Sequence, residues 1–197
     1  MNKFLPKDEK EPVVKNYLNP SDADEDGITF RVLSSAITGQ EYWKTVTNDQ
    51  GEETRKPIRV GATDNVPVAE LETNRWGKLD LPKYFWAFVV WNVSANKIQI
   101  MNITQKTIRR QIKALLRNKK WGDPHGYDLT LTKSGEGRDT EYTIQPNPKE
   151  KVDPEVVKMY EDMNIDLENW RNGEDPFATI TDKDLDEMAK KIPGGAK

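Results

Sequence analysis

The chain has 197 residues, 35% of them apolar and 32% charged, with a net charge of −3, which suits one domain of ordinary size with tails around a modest core. It holds no cysteine and a single histidine, so a disulfide and a Cys/His zinc site are excluded, and a Ser–His catalytic system would rest on His125 alone. No run of about 18 apolar residues exists to span a bilayer, and the charged stretch Met1–Pro12 lacks an apolar signal core, which argues against secretion.

Residues 1–26 read as an arm, punctuated by Pro6, Pro12 and Pro20 and ending in the acidic turn Asp22–Asp26 before Gly27. Ile28–Leu33 alternates as a strand. Gly39 is expected to bend the chain before Glu41–Val46, making one long first strand kinked at the glycine. Residues 47–82 form a long connection with a turn at Asn48–Gly51, a short edge strand at Lys56–Val60 and a loop bearing Arg75, Trp76 and Lys78; connections of that length are usually functional or disordered. Tyr84–Trp91 is the strongest strand and forms a hairpin with Lys97–Ile103. Thr104 is expected to cap a helix running to about Arg117, with Ile108, Ile112, Leu115 and Leu116 on one face and Arg109, Arg110, Lys113 and Arg117 largely on the other. Tyr127–Thr132 and Thr140–Gln145 are strands joined by the charged loop 133–139, and Pro146 and Pro148 end this region. The tail holds two weak helices, about Pro154–Met163 and Asp182–Lys191.

The order strand, strand, strand, helix, strand, strand is that of the OB-fold, a small Greek-key barrel. The fold expected is therefore mostly β: a five-stranded OB-fold barrel with one helix between strands three and four, plus a helical acidic C-terminal segment. The boundaries follow as an arm over 1–26, a barrel over 27–148 and the acidic segment over 149–197. Charge is segregated along the same lines. From Arg75 to Trp121 there are eleven bases and one acid, Asp80, a net of +10, whereas Glu150–Lys197 has 13 acids and seven bases, a net of −6. Such asymmetry points to a polyanion partner for the basic half, or else to cations paired with acids elsewhere in the fold.

Single-stranded DNA offers phosphates, which Lys and Arg neutralise, and base faces, which aromatic rings stack upon. The chain interleaves the two residue types in Tyr42-Trp43-Lys44, Arg75-Trp76-Gly77-Lys78 and Lys83-Tyr84-Phe85-Trp86. In the strand 84–91, Phe85, Ala87, Val89 and Trp91 form the wholly apolar set and are assigned to the interior, which turns Tyr84, Trp86 and Phe88 to the ligand. Arg31, Arg59 and Lys97 on strands, and Lys133 and Arg138 on the last hairpin loop, complete the candidate phosphate contacts. Arg109 and Arg110 rank behind them, because the OB helix plugs one end of the barrel, away from the usual groove. Trp121 is expected to pack at the end of the helix. Asp123 and Asp128 near His125 offer a weak metal-site alternative; no catalytic residue, metal or other cofactor is expected.

Several ordered motifs carry a resemblance: Phe4–Pro6, Phe30–Leu33, Thr38–Trp43, Lys83–Trp91, Trp121–Pro124, Tyr127–Leu131 and Thr140–Ile144. Over about residues 4–148 they resemble the gene-32-like single-stranded DNA-binding proteins of tailed phages. The resemblance implies a non-enzymatic OB-fold protein that coats exposed strands in replication, recombination and repair in the cytoplasm of an infected bacterium. It also implies self-association on DNA, and an acidic C-terminal region that recruits replication or recombination proteins and competes with DNA for the groove. The chain departs from the pattern twice. It cannot hold the structural zinc of the gene-32 type, and its acids stop at Glu187, with Lys190, Lys191 and Lys197 beyond. The alternative reading is a protein-interaction or virion-assembly barrel that binds no nucleic acid.

Overall fold

A strand as apolar as Tyr84–Trp91 has two faces to hide from water, and the fold is arranged around that need. The structure, a computed structural model, describes residues 16–177 apart from 49, 75 and 76. In chain order the elements are β1 (Tyr17–Leu18), β2 (Ile28–Val32), β3 (Ile37–Thr47), β4 (Glu53–Gly61), β5 (Lys83–Asn92), β6 (Lys97–Ile103), α1 (Lys106–Arg117), β7 (Tyr127–Ser134), β8 (Glu141–Lys149), α2 (Pro154–Met163) and α3 (Leu167–Asn172). The eight strands form one sheet along the path β1-β6-β5-β2-β7-β8, with β3 pairing β5 and β4.

The sheet is β-rich and curled but does not close into a barrel, so the closed five-stranded barrel expected from element order is not what forms. The path ends at β1 on one side and at β8 on the other. Helix α1 lies along the β8 edge: Gln111 Nε2 donates to Tyr142 O at 2.8 Å, and Gln111 Oε1 accepts from Ile144 N at 2.8 Å. One side chain thus satisfies two backbone groups on the edge of β8 that a neighbouring strand would otherwise take.

The first strand is broken at residues 33–36, not at Gly39. Leu33 N donates to Val89 O at 2.9 Å, and Val89 N then donates to Ser34 Oγ at 2.8 Å, so a side chain replaces the ladder where the chain turns. Gly39 has a different task. A Cβ there would stand 2.4 Å from Val60 O and 2.7 Å from the Phe85 ring, so only glycine lets that ring lie against β3. Most of the long connection is also ordered, because β3 and β4 pair in register from Gly39↔Gly61 to Thr47↔Glu53. Pro146 and Pro148 fall within β8 instead of ending it; this is an edge strand, which tolerates residues without an N–H. Helix α1 begins one residue later than expected, with Gln105 at its N-cap in place of Thr104.

Phe85, Ala87, Val89 and Trp91 are buried as expected, whereas Phe88, expected to face the ligand, is buried as well, because β5 is covered on both faces. Phe88 and Val90 point into the main core with Phe30, Val32, Met101, Ile103, Ile108, Ile112, Tyr127, Leu129, Leu131 and Ile144. Phe85, Ala87, Val89 and Trp91 face outward from that core, and with Ile98 and Ile100 they are covered by Val156, Met159, Met163, Trp170 and Phe177. Trp170 meets Phe85 edge-on, with ring centroids 5.5 Å apart. Helix α2 matches its expected bounds. It starts at the Asp153 cap, whose side chain accepts from Glu155 N, and stops at Asn164 in the left-handed region. Helix α3, which the sequence reading lacks, has Asp166 as its cap. The helix expected over 182–191 lies outside the described residues. The arm, too, is partly integral: β1 pairs in parallel with β6, and Leu18 and Ala23 are buried in the main core.

Two outcomes test this packing in urea denaturation. Met163→Ala should cost about 2–5 kcal/mol, as for other buried large-to-small changes, whereas a detachable tail would give almost nothing. Gln111→Ala should cost about 1–3 kcal/mol, because two backbone groups on β8 lose their partner.

Candidate nucleic-acid interface

The N-terminal end of β5 is covered on its outer side, where Phe85 is buried against Trp170, and only partly on the other. There Tyr84 is 37% exposed and Trp86 is half-buried at the rim of the core. Helix α1 leans its basic side over both rings. The Arg109 guanidinium lies 4.8 Å from the Tyr84 ring centroid, and Lys113 Nζ lies 5.4 Å from that of Trp86, both within cation–π range. The helix carries five cations and no acid. Among the described residues, none of Lys106, Arg109, Arg110, Lys113 and Arg117 is in an ion pair. Burial pulls the Arg109 pKa below its usual value, with Tyr84 acting the other way; a guanidinium stays protonated regardless. The sequence reading ranked Arg109 behind the strand residues and left Lys113 out. The available signal was the complete absence of acids over 106–117.

The other sequence-assigned residues divide by their surroundings. Phe88 and Tyr42 are buried and offer no ring face to a ligand. Arg31 is 3% exposed and is held by Asp128 at 2.5 Å and by the Glu150 carbonyl at 2.9 Å. Arg59 donates to Glu41 at 2.9 Å and to the Trp170 carbonyl at 3.2 Å, with its guanidinium 3.6 Å from the centroid of the Trp170 ring. Burial pulls its pKa down, and Glu41 opposes that shift. Lys44 is paired with Glu70, and Lys133 Nζ donates to Ser21 O at 3.1 Å. Lys97 stands at the far end of the β5–β6 hairpin, opposite Asn92, about 20 Å from Trp86 at the usual rise per strand residue. Lys78 and Arg138 are exposed on loops, and Lys83 and Trp43 are exposed near the N-terminal end of β5. Arg75 and Trp76 lie outside the described residues. Trp121 packs on Tyr127, centroids 5.3 Å apart, as expected at the end of α1.

The alternative Asp123–His125–Asp128 cluster does not converge. His125 Nδ1 lies 2.5 Å from Asp123 Oδ1, and Asp128 is turned to Arg31. Hydrogen bonds from the His125 backbone and ring hold the Asp123 carboxyl below the usual range.

A cleft of about 510 Å³ opens around the corner from the ring–cation strip, on the outer face of the sheet. Lys83, Thr104 and Gln105 line it, and Lys83 is next in sequence to Tyr84 of the strip. Comparison with protein-family models, with curated proteins and with solved structures found no match for this chain.

The division between structural and available cations is open to a direct check by thermal and chemical denaturation. Arg59→Met leaves Glu41 buried without its partner and should cost about 3–5 kcal/mol. Arg109→Met removes no carboxylate pairing and should stay within about 0.5 kcal/mol of the parent chain.

Proposed function

We propose that this chain binds single-stranded DNA with little sequence preference and carries out no chemistry of its own. The observation that carries the reading is the strip of Tyr84 and Trp86 beneath Arg109 and Lys113, on a helix without a single acid. A cation over a ring, unpaired with carboxylate, is held by a weak attraction of about 0.5–1 kcal/mol at an exposed site. A phosphate forms a stronger, charge-assisted contact and draws the cation away. The ring face so uncovered is then available for a base to stack on, at about 1–3 kcal/mol per base. Duplex DNA supplies the phosphates but keeps its base faces occupied, so the mechanism favours unpaired strands.

The strand pairing supports reading the sheet as an OB-type barrel opened at one seam. Segments β2 and β3 together take the place of the first strand, β5 and β6 the second and third, and β7 and β8 the last two, with α1 between the third and fourth. Kinship with the gene-32-like proteins of tailed phages is part of the same proposal. The groove differs from the one the sequence suggested, since α2 and α3 occupy the outer face of β5 and β6. A second reading, a protein-docking role, draws on Val68, Leu79 and Leu81, which are exposed on the connection before β5. It would be favoured by a salt-insensitive protein complex together with no DNA binding.

Filter binding of oligo-dT and of a matched duplex at two salt concentrations tests the proposal, and equal or tighter duplex binding overturns it. Trp86→Ala should weaken oligo-dT binding roughly 5- to 150-fold through lost stacking. Lys113→Ala should weaken it as well, and should flatten the logarithmic salt dependence by about 0.7 for the one phosphate contact removed.

A further inference from the structure

Helix α1 carries a second regularity besides the cations over the rings. Lys106, Arg110, Lys113 and Arg117 follow one another at steps of four, three and four residues. At 3.6 residues per turn they fall within about 60° of arc, in a row about 16 Å long. All four are exposed, and the buried Ile108 and Ile112 lie on the opposite side of the helix.

Such a row weakens the helix that carries it. Like charges three and four residues apart repel, and the first turn, which starts at Lys106 and holds no acid, sets a cation at the positive end of the helix dipole. Nothing among the described residues relieves this. No acid lies between Asp80 and Asp123 in the sequence. Asp123 is bonded to His125, and Glu141, on the strand packed along α1, is in no ion pair with the helix. Charge that is neither paired within the fold nor needed for packing finds its counter-charge outside the chain.

The rings fix the direction of that counter-charge. Tyr84 and Trp86 are two residues apart on β5, about 6.7 Å along the strand. Arg109 and Lys113, which lie over them, are four residues apart, about 6 Å along the helix. Rings and cations therefore advance together in one direction. The row continues that advance at both ends, to Lys106 one turn before Arg110 and to Arg117 one turn past Lys113.

We infer that α1 is the track of the sugar–phosphate backbone: a strand runs alongside the helix with its bases toward Tyr84 and Trp86, and about four phosphates lie on Lys106, Arg110, Lys113 and Arg117, roughly one per helical turn. The inference rests on the single-stranded DNA reading and deepens it. It lays the strand along the helix and not along β5 and β6, whose outer face α2 and α3 occupy.

The test measures fluorescence anisotropy of oligo-dT over a range of salt concentrations with Lys106→Gln, Arg110→Gln and Arg117→Gln. Glutamine is a good helix former, and none of the three side chains is buried, so the variants should fold as the parent does. Each should weaken binding and flatten the logarithmic salt dependence by about 0.7, and the triple variant should flatten it by about 2. Lys158→Gln, exposed on α2, removes the same charge elsewhere and should leave the slope unaltered. Backbone amide NMR signals over 106–117 should shift with oligo-dT more than those around Lys97. If oligo-dT binds but the triple variant keeps the affinity and slope of the parent, the track falls and the DNA-binding reading stands. If duplex binds as tightly as oligo-dT and the triple variant flattens both slopes, the track stands and the single-strand reading falls. If poly-glutamate binds through these residues while neither DNA does, both fall.

Discussion

The burial of β5 on both faces is the constraint from which the rest of the architecture follows. A strand with Phe85, Ala87, Val89 and Trp91 on one side and Phe88 and Val90 on the other cannot lie on a sheet wetted on either face. The inner side is closed by β2, β6, β7 and α1, and the outer side by α2 and α3. On the outer side the cover reaches as far as Phe85, which is buried against Trp170, whereas on the other side Tyr84 and Trp86 lie partly exposed at the rim of the main core.

The cations sort by the same geometry. Arg31 and Arg59 lie on the outer face of the sheet beneath the C-terminal layer, where an unpaired charge would be costly, and each is bonded to a carboxylate and a backbone carbonyl. These residues stabilise the packing and are not available to a ligand. The cations of α1 lie on the solvent side of a helix whose other side is buried, and the helix contributes no acid to neutralise them. Five of the eleven bases between Arg75 and Trp121 are thus carried by one helix next to two rings.

Helix α1 joins two parts of the fold. Gln111 ties it to the edge of β8, and its first turns, which follow directly on β6, carry Arg109 over Tyr84. One short stretch thus links the β8 edge to the ring–cation strip.

What the sequence determined by itself was local. Periodicity located β5, β6, β7, α1 and α2 to within a few residues, because alternation and helical spacing are set by short-range geometry that survives in any fold. The glycine at 39 was visible, but its role was not, since the Phe85 ring that requires it comes from another strand. Which face of β5 is inner, which arginines are engaged in ion pairs and which are exposed, and that part of the acidic segment is a packed layer were all decided by tertiary structure. Phe85 and Phe88 are equally apolar in the sequence, and Arg59 and Arg109 equally basic. They differ only in what lies across from them, and those neighbours, Trp170 and Glu41 for Arg59 and Tyr84 for Arg109, reach them through the packing of separate elements.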